Sequence, residues 1–289
     1  VPIACDLSSY AITSSKKRSD RLFAEKGIPA PRYCPDCEFP VIVKPSDMSG
    51  SKGIKKISNE RELALFFEEV GSKRNNYLIQ EFLEGDSYSI EVVGRQGNYV
   101  PLQVTDLDFD SGYDCKRVLA PTKLTLEQER QFRDLGLRIA ELLPLTGIMD
   151  VEVINDQGTL KVLEIDARLP SQTPTTVYQS TGINMLVMLY DLYTKGQVDM
   201  HQDIARKRGV VYEHIKVTPG KIGTLGEHII SQTGCLNHYQ DFFGADEALT
   251  DYVPGSRSWA ATLIITGKDR SQARQKRCQV IENIRAATR

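Results

Sequence analysis

Apolar residues recur every three to four positions in five stretches of this chain, and they alternate or cluster in several shorter ones. Residues 14–26, "SSKKRSDRLFAEK", predict a helix closed by Gly27, with Pro29 and Pro31 preventing its continuation. "FPVIVKP" (39–45) predicts a buried strand that ends at Lys44, and "IKKIS" (54–58) a short return strand. Between them "SDMSGSKG" (46–53) makes a hairpin tip of small residues. Asn59 and Glu62 are spaced as a capping box for a helix whose apolar stripe is Leu63, Phe66, Phe67 and Val70. Residues 77–94 predict strand, bend and strand. A second box, Thr125 with Gln128, opens a helix over 125–143 that turns Leu135, Ile139 and Leu142 inward. A strand pair at 148–154 and 159–166 follows, then a helix at 183–196, a strand at 259–266 and a helix at 271–286. Hairpins mixed with helices predict an α+β layered fold rather than a doubly wound sheet.

Composition narrows the function without fixing it. The 289 residues are 40% apolar and 26% charged, with a net charge of −2 and no basic stripe, which argues against a nucleic-acid partner. No run of eighteen apolar residues occurs, so no membrane-spanning helix is expected. Six cysteines lie at 5, 34, 37, 115, 235 and 278, in no disulfide-scaffold spacing. Cys34 and Cys37 form half a zinc motif without a second half. The thiols read as reduced, which points to the cytoplasm. The opening "VPIACDLSSY" has neither Met nor a signal pattern, and reads as cut from something longer.

The unusual chemistry lies in "IMDVEVINDQGTLKVLEIDAR" (148–168). Glu164 and Asp166 are two apart and share a strand face. Whether Asp150 and Glu152 join them depends on the turn. A loop of even length sends the two acid pairs to opposite faces; the three-residue loop Asp156-Gln157-Gly158, with Gly158 where that turn needs positive φ, puts Asp150 opposite Glu164 and Glu152 diagonal to it. Four oxygen-bearing side chains on one face suit Mg²⁺ beside a nucleotide phosphate. The same spacing also suits a solvated face of an exposed hairpin, and spacing alone does not choose.

Two basic positions add to this. Lys44 ends a buried strand beside the small-residue loop, whose backbone N–H groups could cradle phosphate. Lys16 and Lys17 open a helix, where cations are slightly unfavourable against the helix dipole.

In this order, a helix lysine, a strand lysine with its loop, the hinge "EFLEG" and a hairpin ending E-x-D-x-R resemble the ATP-grasp ligases. The resemblance implies ATP held between a small lid and a larger α+β domain. Lys16 and Lys44 resemble the phosphate-facing lysines, and Ser49, Gly50, Ser51 and Gly53 the flap over the phosphates. Gln80, Glu81, Phe82 and Leu83 match the adenine-reading hinge, and Asp86 the ribose acid. Glu152, Glu164 and Asp166 match the ligands of one or two Mg²⁺ ions, although the third is more often Asn. Arg168 matches the arginine that steadies an acyl phosphate, so Arg168 and Lys44 are the expected catalytic residues. Ser15 replaces an acid usual in the family, and Lys52 inside the flap is a second departure.

The blocks "GYDCKRV", "GIMDVEV", "EIDARLPSQTPTTVYQSTGIN", "YEHI" and "GKDR" are similar to the branch serving pyrrolysine biosynthesis. That likeness implies joining 3-methyl-D-ornithine, or D-ornithine, to the ε-amine of L-lysine. Tyr113, Asp114, Ser171, Gln172 and Thr173 are the expected donor-substrate contacts, with Glu213 a weaker one and His214 structural. It further implies that 1–15 is a remnant of, or linker from, an absent N-terminal subdomain. Residues 16–85 would then be the lid, and 86–289 the large domain with a C-terminal strand–helix element. A homodimer is compatible with this reading. Another ATP-grasp amino-acid ligase, a carboxylase-type enzyme, or a nucleotide-binding fragment without turnover are the competing expectations.

Overall fold

In the computed structural model, residues 6–48, 50–198 and 208–288 are described. The chain begins with helices α1 (Leu7–Thr13) and α2 (Lys16–Lys26), then strands β1 (Val41–Pro45) and β2 (Lys55–Ile57). Helix α3 (Glu60–Val70) and strands β3 (Tyr77–Glu81), β4 (Ser87–Arg95), β5 (Asn98–Pro101), β6 (Thr105–Phe109) and β7 (Cys115–Ala120) follow. Next come α4 (Leu126–Leu142), β8 (Thr146–Asp156), β9 (Thr159–Asp166), α5 (Thr173–Thr181) and α6 (Met185–Lys195). Strands β10 (Gly209–Thr218), β11 (Lys221–Thr224), β12 (Asn237–Phe242), β13 (Ala245–Thr250) and β14 (Trp259–Gly267) lead to α7 (Arg270–Ala287). Two compact units result: Val1–Pro101 with Arg130–Leu169, and Leu102–Glu129 with Pro170–Arg289.

In the first unit a three-stranded antiparallel sheet has the order β2-β1-β3. Phe66 of α3 buries against Val41, Val43 and Ile57, with Leu63, Phe67 and Val70 around it, so the expected stripe faces this sheet. Glu62 N–H donates to Asn59 Oδ1 at 3.0 Å, and the Glu62 carboxylate reaches back to Ser58 N at 2.8 Å. The box at the start of α4 closes in both directions, Gln128 N to Thr125 Oγ1 at 3.3 Å and Thr125 N to Gln128 Oε1 at 3.2 Å. The inward face of α4 is Phe132, Gly136, Ile139 and Ala140 rather than Leu135 and Leu142. Gly136 is what lets it approach: a Cβ there would stand 3.1 Å from Val92 of β4.

A second sheet in this unit runs β4-β8-β9, with β5 paired to β4. The three-residue loop expected at Gly158 does not form. Asp156 pairs with Thr159, leaving Gln157 and Gly158 as a two-residue turn with φ of 50° and 97°. That is the type I′ geometry that matches strand twist. Alone it would pair Glu152 with Leu163 and split the acids between faces. A bulge between Glu152 and Val153 adds one residue, Leu163, to the β9 side. Beyond it Glu152 pairs with Glu164, and Asp150 with Asp166. All four acids therefore share a face, through a bulge rather than a longer turn. A Cβ at Gly158 would meet nothing within 4 Å, but its φ is positive. Gly158→Ala is accordingly expected to cost about 1–2 kcal/mol through backbone strain alone, read as a lower denaturant midpoint with unchanged slope.

The second unit is an antiparallel sheet of order β12-β13-β14-β10-β7-β6, with β11 on β10. Val280, Ile281 and Ile284 of α7 pack on Val211, Ile215 and Leu263 of this sheet. Among the described residues no helix is long and apolar enough to cross a membrane. Cys34, Cys37, Cys115, Cys235 and Cys278 are free thiols.

Candidate functional site

The acidic face of the first unit is short of positive charge. Lys16 Nζ makes an ion pair with Glu164 and donates to Met48 O at 3.0 Å, tying α2 to the base of the flap loop. Arg168 pairs with Asp166 at 2.8 Å, and Asp150 accepts from Ser89 Oγ. Four carboxylates thus meet two directly paired cations. Burial, then the neighbouring carboxylates of Asp166 and Glu164, push Asp150 up to about 7, against the pull of Ser89. Burial also raises Glu152 well above the usual range, helped by Asp150, Glu164 and Asp166. Asp166 is raised by burial and by Glu164, in spite of Arg168. An all-oxygen donor set with surplus negative charge fits a hard divalent cation. Among the described residues no three His, Cys, Asp or Glu side chains are gathered as a ready cage. Glu164, Asp166 and Asp150 are instead engaged by Lys16, Arg168 and Ser89.

A pocket of about 120 Å³ opens beside these groups. It is lined by Tyr10, Thr13, Ser14 and Lys16, by Asp47 and Met48 of the loop, and by Glu164, Asp166 and Arg168. Sequence reasoning missed the α1 wall. Thr13 Oγ1 accepts from the Ala167 N–H at 3.0 Å, between Asp166 and Arg168, so α1 fixes the strand end that carries both.

Lys44 lies in the same unit and is 8% exposed. Among the described residues its ammonium makes no hydrogen bond or ion pair, and burial lowers its pKa against the attraction of Glu164 and Asp20. A buried cation without a partner is costly unless an anion arrives. Asp20, one helical turn after Lys16, accepts from Gln80 Nε2 at 2.9 Å and bonds Tyr33. The i, i+4 spacing of Lys16 and Asp20 was the available clue.

The hinge is strongly held. Glu81 takes Arg32 Nε and Lys161 Nζ, each at 2.8 Å. These bonds outweigh the opposing effect of burial and keep its carboxyl below the usual range. Phe82 N–H donates to Pro40 O at 3.1 Å, its ring lies under Lys56 at 3.8 Å, and Leu83 is half-buried. Asp86 is exposed, and its carbonyl accepts from Asn155 N at 2.9 Å. In the flap, Gly50, Ser51 and Gly53 all adopt positive φ, a sharp exposed turn that only small side chains tolerate easily. Ser49 lies outside the described residues.

The expected donor contacts fall in the second unit. Asp114 is engaged: its Oδ2 accepts from His228 N at 3.0 Å and meets His228 Nδ1 at 2.6 Å. Tyr113 is half-buried with φ of 63°. Ser171 Oγ and Gln172 Nε2 both donate to Glu227, which the sequence did not single out, at 2.8 and 3.1 Å. Thr173 is buried at the start of α5. Glu213 is fully buried between Arg117 and Arg277, and His214 Nδ1 meets Thr262 Oγ1 at 2.8 Å, both structural roles.

Residues 13–172 match the ATP-grasp domain family. The 3-methyl-D-ornithine–L-lysine ligases of Methanosarcina acetivorans and Methanosarcina mazei are 33% and 34% identical over 277 residues. These alignments cover 96% of this chain and 71% and 70% of the relatives. In fold, the biotin carboxylase domain dimer of Hydrogenobacter thermophilus 2-oxoglutarate carboxylase, solved with MgADP and bicarbonate, superposes with a TM-score of 0.74. It is 19% identical and covers 94% of this chain and 66% of that one. The L-amino acid ligase of Bacillus licheniformis gives 0.67 at 16% identity, over 96% and 72% of the two chains. A domain match that includes both lysines and every acid of the hairpin, with relatives 33% identical along almost the whole chain, makes this protein a member of the ATP-grasp ligase family, which works with ATP and Mg²⁺.

Proposed function

We propose that this chain uses ATP to join 3-methyl-D-ornithine, or D-ornithine, to the ε-amine of L-lysine through an acyl phosphate. The observation that carries the ATP half is Lys44, a buried ammonium with no protein partner among the described residues, in one unit with four carboxylates on one strand face. The likeness to the Methanosarcina ligases supports the choice of amino acids.

Glu152, Glu164 and Asp166 would hold Mg²⁺. Bound there, Mg²⁺ would offset phosphate charge and leave the terminal phosphoryl group open to attack. Lys44 supplies a fixed positive charge for a phosphate, and that contact offsets its burial. Lys16 is tethered to Glu164 and Met48, so it exchanges a carboxylate for a phosphate when nucleotide binds. The guanidinium of Arg168 is planar and can take the donor carboxylate in two bonds, before and after that carboxylate gains its phosphoryl group. The lysine ε-amine must arrive deprotonated to attack the acyl carbon and release phosphate. Closure of the loop around Gly50–Gly53 would keep water from hydrolysing the acyl phosphate first.

Phosphate release with ATP and Mg²⁺ is expected to require D-ornithine and L-lysine together. Release that needs neither amino acid, or only another amino-acid pair such as D-alanine with D-alanine, would overturn the reading.

A further inference from the structure

Glu227 begins the short 3-10 turn Glu227–Gln232 in the second unit. One carboxylate oxygen, Oε2, accepts from Ser171 Oγ at 2.8 Å and from Gln172 Nε2 at 3.1 Å. The other, Oε1, has no partner among the described residues. Gln172 Nε2 also donates to Cys115 O at 3.4 Å. Two acceptors on one end of the amide fix that end as the nitrogen, because a flipped amide would set oxygen against oxygen. Gln172 Oε1 is therefore an acceptor by necessity. It is buried without a partner, on a side chain only 6% exposed. His214, 3% exposed, has an unpartnered Nε2, and Glu227 and Asp114 are the first charges its ring feels. Asp114 is already engaged by His228. Burial lowers the His214 pKa, so the imidazole adds no positive charge.

The cluster has acceptors to spare and no cation among the groups that touch Glu227. A half-anchored carboxylate beside a buried, empty amide acceptor is unsatisfied by anything on the protein. An alkylammonium brings three N–H donors and a positive charge, and so fills both. Ser171 and Gln172 are two of the residues expected from the sequence to contact the carboxylate donor. We infer that Glu227, positioned by Ser171 and Gln172, binds the side-chain ammonium of the carboxylate donor and thereby selects a diamino acid over a neutral one. The identity of the donor rests on the ligase reading above; the ammonium site does not.

Calorimetric titration of the full chain with D-ornithine and with D-norvaline, which lacks only the terminal amine, tests this without turnover. The unsubstituted protein should prefer D-ornithine by about 10- to 100-fold, the worth of a charged hydrogen bond. Glu227→Gln keeps the volume and the Ser171 bond; it should weaken D-ornithine by that factor and leave D-norvaline and the melting temperature unchanged. Glu227→Asp, which keeps the charge, should retain the preference and serves if the amide variant folds poorly. Equal binding of the two amino acids by the unsubstituted protein, binding of neither, or a loss confined to L-lysine in Glu227→Gln would each overturn the inference. If D-ornithine preference is present and Glu227-dependent while phosphate release with lysine is absent, the ligase reading falls and the ammonium site stands.

Discussion

Glu164→Gln should lower Mg²⁺-dependent phosphate release by about 100- to 1,000-fold, the scale for losing one preorganised electrostatic contact to a transferring group. The fold should survive it. Glu164 stands directly opposite Glu152 and two residues from Asp166, and each of those two carboxylates is raised partly by the Glu164 charge. A raised carboxylate pKa means that the folded hairpin holds its protons more tightly than the unfolded chain does. Such groups cost stability as pH climbs above the unfolded value. Removing one charge relieves part of that cost. The variant should therefore melt at an equal or higher temperature near neutral pH, and the difference should vanish in mild acid. The amide retains the shape of the side chain and can still accept from Lys16, which also keeps Met48 O. Loss of activity with gain of stability is the signature of a site that sacrifices stability to hold an ion. Full activity, with an unchanged Mg²⁺ requirement, would remove Glu164 from the metal site.

The acidic face shows where sequence reasoning worked and where it could not. Strand period placed Glu164 and Asp166 together with certainty, because two-residue spacing is geometric. The partnership with Glu152 was reached through the wrong turn. Gly158 signalled positive φ, but Gln157 adopts it too, and no local pattern announces the bulge at Leu163 that restores the register. Helices α3, α4, α6 and α7 were legible because each has one apolar face and a marked start. Strand β10 was not, since nearly all of "GVVYEHIKVT" is buried and no alternation marks it, and β12 was not because it is mostly exposed. Binding groups set by distant contacts were the hardest. Asp114 was expected to contact the donor, yet it is engaged by His228, 114 residues away. Glu227 carries no motif at all and is recognisable only by what Ser171 and Gln172 donate to it.

Glu213→Ala should destabilise the protein by about 3–5 kcal/mol, the usual result of stripping one partner from a buried ion pair. Glu213 of β10 is fully buried. Arg277 of α7 grips its carboxylate through Nε and Nη2, each at 2.7 Å, and Arg117 of β7 adds a bond at 2.5 Å. Thr224 Oγ1 donates a fourth at 2.9 Å. Arg117 also reaches Asp108 at 2.9 Å, so two guanidinium groups face two carboxylates. Burial alone would raise the Glu213 pKa, but the Arg277 bonds and the charge of Arg117 outweigh it and hold the group below its ordinary value of 4.5. A depressed carboxylate stabilises the fold fully above the unfolded pKa and loses that contribution as pH falls through the folded one. The unsubstituted protein should therefore weaken in acid below about pH 4.5 through this residue, and Glu213→Ala, already lacking the contribution, should show a flatter profile there. Equilibrium denaturation across that range measures both effects. Replacing Arg117, Glu213 and Arg277 together by apolar residues of similar volume should recover most of the loss, because those three charges then no longer need desolvating and Asp108, 38% exposed, is left to solvent. If the single variant loses nothing, the cluster does not pin α7 to the sheet. If the triple variant fares no better than the single one, the loss comes from packing rather than from two guanidinium groups left buried without a counter-charge.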